Sequence, residues 1–395
     1  MKSLAIEIVN AIEKVIGPAS KDNKISLHEP DFNKTNAWKY VKNCIDSGWV
    51  SSTGSWVNEF EKGIVNLTGA KYAVAVVNGT SALRLSLHVV GVKPNDEVIM
   101  SPLSFVATAN SVSHLGAIPH FVDINRQTFA LDATTLDLHL NKIAVRTNGG
   151  VINTMTGNRI SAVVPVHVFG HAAEMEAIKS VTDYWGLALV EDAAEALGSW
   201  RNDIHCGLFG DMGIISFNGN KIITTGGGGM ILTNNENRYQ KARHLSTTAK
   251  IKHDWEFIHD AVAWNDRMPN INAALGLAQL EALELRLEAK RNLAKLYKES
   301  FSAIEEVEFI EEMENCISNN WLITVRLKMA GSTESDQIRE QILSYAHKSG
   351  ILLRPVWNLL NELPMYIDAP KGSLIVAEGE EKRLINLPSS PQLLK

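Results

Sequence analysis

Cysteine is scarce in this chain. Only Cys44, Cys206 and Cys316 occur in 395 residues, and they lie far apart. With no CxxC pair, a disulfide framework or a zinc knuckle has no support, and the pattern fits a reducing, cytoplasmic setting. No apolar run approaches the length that spans a bilayer, so no membrane role is expected. Met1 to Gly17 has apolar residues at helical spacing but carries Glu7 and Glu13, which a secretory leader would not. Neither charge sign dominates. The net charge of −6 argues against a nucleic-acid surface as the main function. Internal repeats and low-complexity segments are missing too. So are three catalytic signatures: H-E-x-x-H, although His167 and His171 are four apart; the Walker pattern; and the G-x-S-x-G elbow.

What remains is an ordinary globular composition, 45% hydrophobic and 21% charged, in a length that suggests two to three domains. After the amphipathic start (Leu4, Ile8, Ile12, Ile16) and a polar linker from Pro18 to Lys24, apolar strands alternate with helices. Tyr72–Val77, Glu97–Met100, Ile118–Val122, Ala162–Val168 and Ala188–Glu191 read as strands, and Thr80–Val90, Phe105–Leu115 and Ala173–Trp185 as helices. Nearly continuous apolar strands between helices predict a parallel sheet covered on both faces. Gly213–Phe217 and Gly229–Thr233 would add two strands. A leucine-rich stretch from Asn272 to Phe301 predicts one long helix leading into a smaller domain, with a strand at Trp321–Leu327 and a helix at Ser335–Ser349.

The segment Ser216-Phe-Asn-Gly-Asn-Lys-Ile-Ile-Thr-Thr-Gly-Gly-Gly-Gly-Met230 carries the most chemical information. Lys221 follows an apolar strand and precedes four glycines. A lysine there is costly to bury without a partner or a task, and glycines permit close backbone approach. Lys221 is therefore the candidate amine nucleophile for a Schiff base, held against a cofactor. Asn78-Gly-Thr-Ser81, between a strand and a helix, could seat a phosphate on free N–H groups, although taken alone it is an ordinary turn. Asp192 ends a buried strand, where it serves equally well as a helix cap or as the partner of a protonated ring nitrogen. Phe105 could stack on a flat ring or simply pack in the core.

In this order, Asn78–Ser81, Glu191-Asp-Ala-Ala-Glu195, Ser216–Lys221 and Gly226–Gly229 resemble the DegT/StrS-type sugar-nucleotide aminotransferases, over nearly the whole chain from Leu27-His-Glu-Pro30 to Asn386-Leu-Pro-Ser-Ser390. The resemblance implies an α/β protein of pyridoxal-phosphate (PLP) fold type I, like aspartate aminotransferase. A helical extension would span residues 1–30, a large PLP-binding domain 31–272 and a small domain 273–395. It further implies PLP bound to Lys221 as an aldimine, with Lys221 carrying the proton and Asp192 on the pyridine nitrogen. Phe105 would stack on the ring, Gly79, Thr80, Ser81 and Ser216 would hold the phosphate, and Glu195 would lie near the 3′-oxygen. Asn265, in Trp264-Asn-Asp-Arg-Met268, would reach the phosphate of a partner subunit, making a homodimer with shared sites. Related sugar 3-dehydratases carry histidine in place of the lysine, and some relatives have regulatory roles; Lys221 with an intact phosphate cup speaks against both. Val50-Ser-Ser-Thr-Gly-Ser-Trp56 and Leu353-Arg-Pro-Val-Trp-Asn358 resemble the legionaminic-acid-type branch, which implies a nucleotide-linked 4-keto-6-deoxy-N-acetylhexosamine as substrate, glutamate as amino donor, and Ser55, Trp56, Arg354 and Trp357 as substrate contacts.

Overall fold

The apolar stretches from Tyr72 onward line up as one sheet. A computed structural model of the chain describes residues 2–20, 22–329 and 332–394; Lys21, in the Pro18–Lys24 linker, lies outside the described residues. The central strands are β1 (Tyr72–Val76), β2 (Glu97–Met100), β3 (Ile118–Phe121), β4 (Arg159–Val164), β5 (Ala188–Asp192), β6 (Met212–Ser216) and β7 (Gly229–Thr233). Their spatial order is β1-β7-β6-β5-β4-β2-β3. Neighbours from β6 to β3 run parallel, and β7 is antiparallel to both β6 and β1. The reason is the connection. A parallel return needs a crossover, usually helical, whereas residues 217–228 hold the Lys221 loop and no helix. A hairpin of Ala144–Thr147 and Gly150–Asn153, which the strand pattern did not suggest, extends the sheet beside β4.

The expected long helix is two. Asn270–Leu280 and Leu283–Phe301 meet at a break over Glu281-Ala282. At the break the Gln279 carbonyl keeps a backbone donor, the Ala282 N–H (3.2 Å), and Arg286 Nη1 adds bonds to that carbonyl (3.1 Å) and to Gln279 Oε1 (2.9 Å), bridging the two helices.

The C-terminal part has its own antiparallel sheet, ordered Val307–Phe309, Ile323–Leu327, Leu384–Leu387, Arg354–Pro355. The helix Lys2–Ile16 belongs with it. Leu4, Ile8 and Ile12 share one apolar cluster with Leu293, Tyr297, Val325 and Ile342. Burying each isoleucine contributes about 1.5–3 kcal/mol, so the first helix is tied to the C-terminal sheet and its helices. Segment 318–321 joins the two sheets. Asn319 Nδ2 donates to the carbonyls of Glu195 (2.8 Å) and Leu197 (2.9 Å), and Gly170 makes room, since a Cβ there would lie 1.9 Å from Asn319 Oδ1.

Candidate active site

A cavity of about 410 Å³ opens at the carboxyl ends of β1, β2, β5 and β6. Open α/β sheets bind ligands at that edge, because strands deliver side chains there and helices begin there. Its walls include Gly79, Thr80, Phe105, Asp192, Glu195, Ser216, Lys221 and Trp357. Residues that lie far apart in sequence thus converge on one space.

Lys221 sits in the turn after β6, its N–H bonded to the Asn218 carbonyl (3.0 Å). Its side chain is 11% exposed, with Nζ 3.3 Å from Glu195 Oε1. Glu195 Oε2 accepts the Phe169 N–H (2.9 Å). Burial raises the Glu195 carboxyl above its ordinary value and nearby Asp192 adds to this, against the pull of Lys221 and the Phe169 bond. Asp192, at the end of β5, is likewise raised by burial, offset in part by hydrogen bonds from Thr108 and Ala194 and by the charge of Lys221. Thr108 Oγ1 donates to Asp192 Oδ2 (2.8 Å), and the Ala194 N–H donates to Oδ1 (3.1 Å). Ser104 Oγ lies 2.9 Å from Thr108 Oγ1. With the Thr108 hydroxyl hydrogen committed to Asp192, Ser104 is the donor.

Opposite the lysine, the helix Gly79–Val90 starts from Asn78, whose side chain accepts the Ser81 N–H (2.7 Å). The Gly79 and Thr80 N–H groups, first in the helix, have no intrahelical acceptor and sit at the positive end of its dipole. Glycine at position 79 keeps the cradle open: a Cβ would lie 3.0 Å from Ser216 Cβ and 3.2 Å from Ser216 Oγ, in the space between them.

Several expected residues lie elsewhere. Ser81 does not wall the cavity, because its N–H is spent on the Asn78 cap. The Gly226–Gly229 run does not wall it either. A Cβ on Gly229 would lie 2.5 Å from the Asn78 carbonyl oxygen, so the close approach is of β7 to the Asn78–Gly79 turn. Arg354 faces a separate groove beside the helix Thr333–Lys348. Trp56 stacks on Tyr40 with ring centroids 4.5 Å apart and donates Nε1–H to Asn43 (3.1 Å). Ser55 is exposed at the start of the helix Ser55–Thr68, and Asn265 is exposed on an extended segment paired with Thr247. Of the four expected substrate contacts, Trp357 alone reaches this chain's cavity.

Sequence reasoning missed Ser104, Thr108, Asn218, Asn220 and Trp321, all in the cavity wall. The i, i+4 spacing of Ser104 and Thr108 next to Phe105 was the available signal for the first two. Trp321 had none, since it arrives from the segment that leads into the C-terminal sheet. Among the described residues, no cluster of three or more side chains is suited to hold a metal, and no helix is long and apolar enough to cross a membrane.

PLP fits this arrangement. The cradle of Gly79, Thr80 and Ser216 suits its phosphate, Asp192 suits its ring nitrogen, and Lys221 is the amine its aldehyde requires. The comparisons agree. The DegT/DnrJ/EryC1/StrS aminotransferase family matches residues 32–395. The chain is 33% identical over 369 residues to a GDP-perosamine synthase of Escherichia coli O157:H7, covering 93% of this chain and 94% of that one. It is 35% identical over 376 residues to the putative pyridoxal phosphate-dependent aminotransferase EpsN of Bacillus subtilis strain 168, covering 94% and 92%. Among solved structures, the putative sugar aminotransferase Spr1654 of Streptococcus pneumoniae in its PMP form superposes with TM-score 0.82 at 25% identity, covering 93% and 92%.

Proposed function

Because the chain belongs to the DegT/DnrJ/EryC1/StrS aminotransferase family, and is a PLP-dependent sugar aminotransferase, we propose that it transfers an amine from glutamate to C4 of a nucleotide-linked 4-keto-6-deoxy sugar. The carrier is UDP or GDP and the sugar an N-acetylhexosamine, made for a surface polysaccharide in the cytoplasm. The observation that carries the proposal is the convergence of Lys221, Asp192 and the Gly79–Ser216 cradle on one cavity. The GDP-linked sugar in the name of the Escherichia coli relative supports a nucleotide-sugar substrate.

Bound PLP supplies an electron sink for the substrate carbon. The protein's residues do the rest. Gly79 and Thr80 N–H groups and the Ser216 hydroxyl hold the phosphate at the helix start. Asp192, oriented by Thr108 and the Ala194 N–H, keeps a positive charge on the ring nitrogen by Coulomb attraction in a buried setting. Phe105, 53% exposed at the cavity mouth, is placed to cover the flat face of a ligand. Lys221 would hold the cofactor through Nζ, and its free Nζ would move a proton in each half-reaction. Glu195, fixed by the Phe169 N–H, orients that amine. The two halves alternate, so the kinetics are ping-pong.

The working unit is a homodimer. Trp255, Phe257 and Val262 are 77%, 80% and 95% exposed around the hairpin Lys250–Ile251/Ile258–His259, an apolar projection that a second copy would cover. Asn265 follows directly and contributes to the partner's phosphate site. Purified protein tests the reading with UDP- and GDP-linked 4-keto sugars and glutamate, the product identified by mass and NMR. Amination of none of them overturns the substrate. Mixing Asn265→Ala with Lys221→Ala protein should restore activity that neither has alone; a fully active monomer overturns the shared site.

A further inference from the structure

Trp321 comes from the small domain, yet its indole forms part of the wall around Lys221. Lys221 Nζ lies 3.7 Å from the indole centroid. The indole Nε1–H donates to the carbonyl of Asn220, the residue before the lysine (2.7 Å). One side chain therefore touches both the amine and the turn that presents it.

The indole is itself anchored. The Trp321 N–H donates to Asn319 Oδ1 (2.8 Å), and its carbonyl accepts from Lys290 Nζ (3.2 Å). Lys290 is fully buried, and its Nζ also donates to the Ser389 carbonyl. Trp321 is 4% exposed. This is much hardware for a core residue, and it ends on the face of one ring under one amine.

We propose that Trp321 is a positioning residue for Lys221. Its ring face receives the ammonium whenever the lysine is not joined to the cofactor, and its Nε1–H fixes the Asn220–Lys221 turn so that the amine returns to the same point. The proposal rests on the reading of Lys221 as the cofactor lysine. A cation over an indole is attracted by the ring quadrupole, and more strongly when water is excluded. Glu195 Oε1, 3.3 Å from Nζ, provides the second contact. The amine is thus parked between a carboxylate and a ring face. The parking site is built from both domains, so a shift of the small domain would move it.

Two substitutions separate the face from the N–H. Trp321→Phe keeps an aromatic face and loses the bond to Asn220; Trp321→Leu loses both. In the holoenzyme, Trp321→Leu should lower kcat about ten-fold with little change in either KM, and Trp321→Phe should fall about three-fold or less. A second readout uses cofactor-free protein: acylation of Lys221 by an amine-selective reagent at one fixed pH, followed on its peptide by mass spectrometry. Loss of the face should speed it several-fold in Trp321→Leu and little in Trp321→Phe, with circular dichroism unchanged in both. Wild-type kcat and reactivity in Trp321→Leu overturn the proposal. So do equal losses in both variants, which would leave the ring face with no part. A wild-type holoenzyme without a cofactor absorbance band dependent on Lys221 would instead overturn the cofactor reading.

Discussion

Two buried acidic sites in the same sheet differ in how completely the protein satisfies them. Glu97, at the start of β2, is fully buried and receives four donors. His120 Nδ1 is 2.7 Å away, Asn153 Nδ2 2.8 Å and Asn158 Nδ2 3.3 Å, and the Thr156 hydroxyl completes the set. His120 Nε2 lies 2.7 Å from His139 Nε2, and burial holds the protonation of His139 down to about 4. Burial pushes the Glu97 carboxyl up, but the bonds from His120, Asn153 and Thr156 more than offset it, and its pKa lies below the ordinary value. Asp192 and Glu195, at the opposite edge, are nearly as buried and have fewer partners, and both are raised. A carboxylate saturated by protein donors is a structural peg. One left partly unsatisfied beside a cavity has room to pair with a ligand charge, the part proposed for Asp192.

The sharpest test of that contrast removes the reactive amine. Lys221→Ala should lower turnover by more than about a thousand-fold and abolish the cofactor's absorbance band while leaving the fold intact. A retained band would mean that another lysine carries the cofactor. At the other pole, Glu97→Ala should cost about 3 kcal/mol in urea unfolding, because it strands three or more buried donors, and should leave kcat of the folded fraction nearly unchanged. A large kcat loss at full stability would erase the distinction drawn between the two sites. Asp192→Asn should retain cofactor, lose about 100-fold in kcat, and make the cofactor-free protein more stable at neutral pH, since a buried charge that Thr108, Ala194 and Lys221 offset only in part is gone. Thr108→Val, which frees one carboxylate oxygen, should cost about ten-fold in kcat.

The smallest effect concerns pH. Asp192 and Glu195 have raised folded pKa values, so the stability they contribute to cofactor-free protein is fully present below the ordinary carboxyl value. It is lost as pH rises through their folded values. Glu97 is depressed, so its contribution is present above the ordinary value and is lost as pH falls through its folded value. Urea unfolding across pH should show Asp192→Asn flattening the first slope and Glu97→Gln the second. The reverse assignment would refute the two environments described.

Much of this was readable in the chain. The apolar strands, the Asn78 turn and the Lys221 loop are local features, governed by burial pattern and turn chemistry, and they fell within a few residues of where the pattern put them. The break at Glu281-Ala282 was not readable, because leucine spacing continues across it. Nor was the true neighbour of the glycine run. Sequence shows that Gly229 allows close approach; only β7 lying against β1 shows that the Asn78–Gly79 backbone is what approaches.

The sequence by itself placed the candidate amine, Lys221, and determined the family's class of chemistry. Lys221, Asp192 and the Asn78-Gly-Thr stretch each sit where a strand ends, and strand ends are set by local hydrophobic pattern. Tertiary structure decided the company those groups keep. It brought Thr108 to Asp192, Phe169 to Glu195 and Trp321 to Lys221. Those partners lie far from one another along the chain, and no local pattern encodes a contact that exists only after distant segments have packed around a shared cavity.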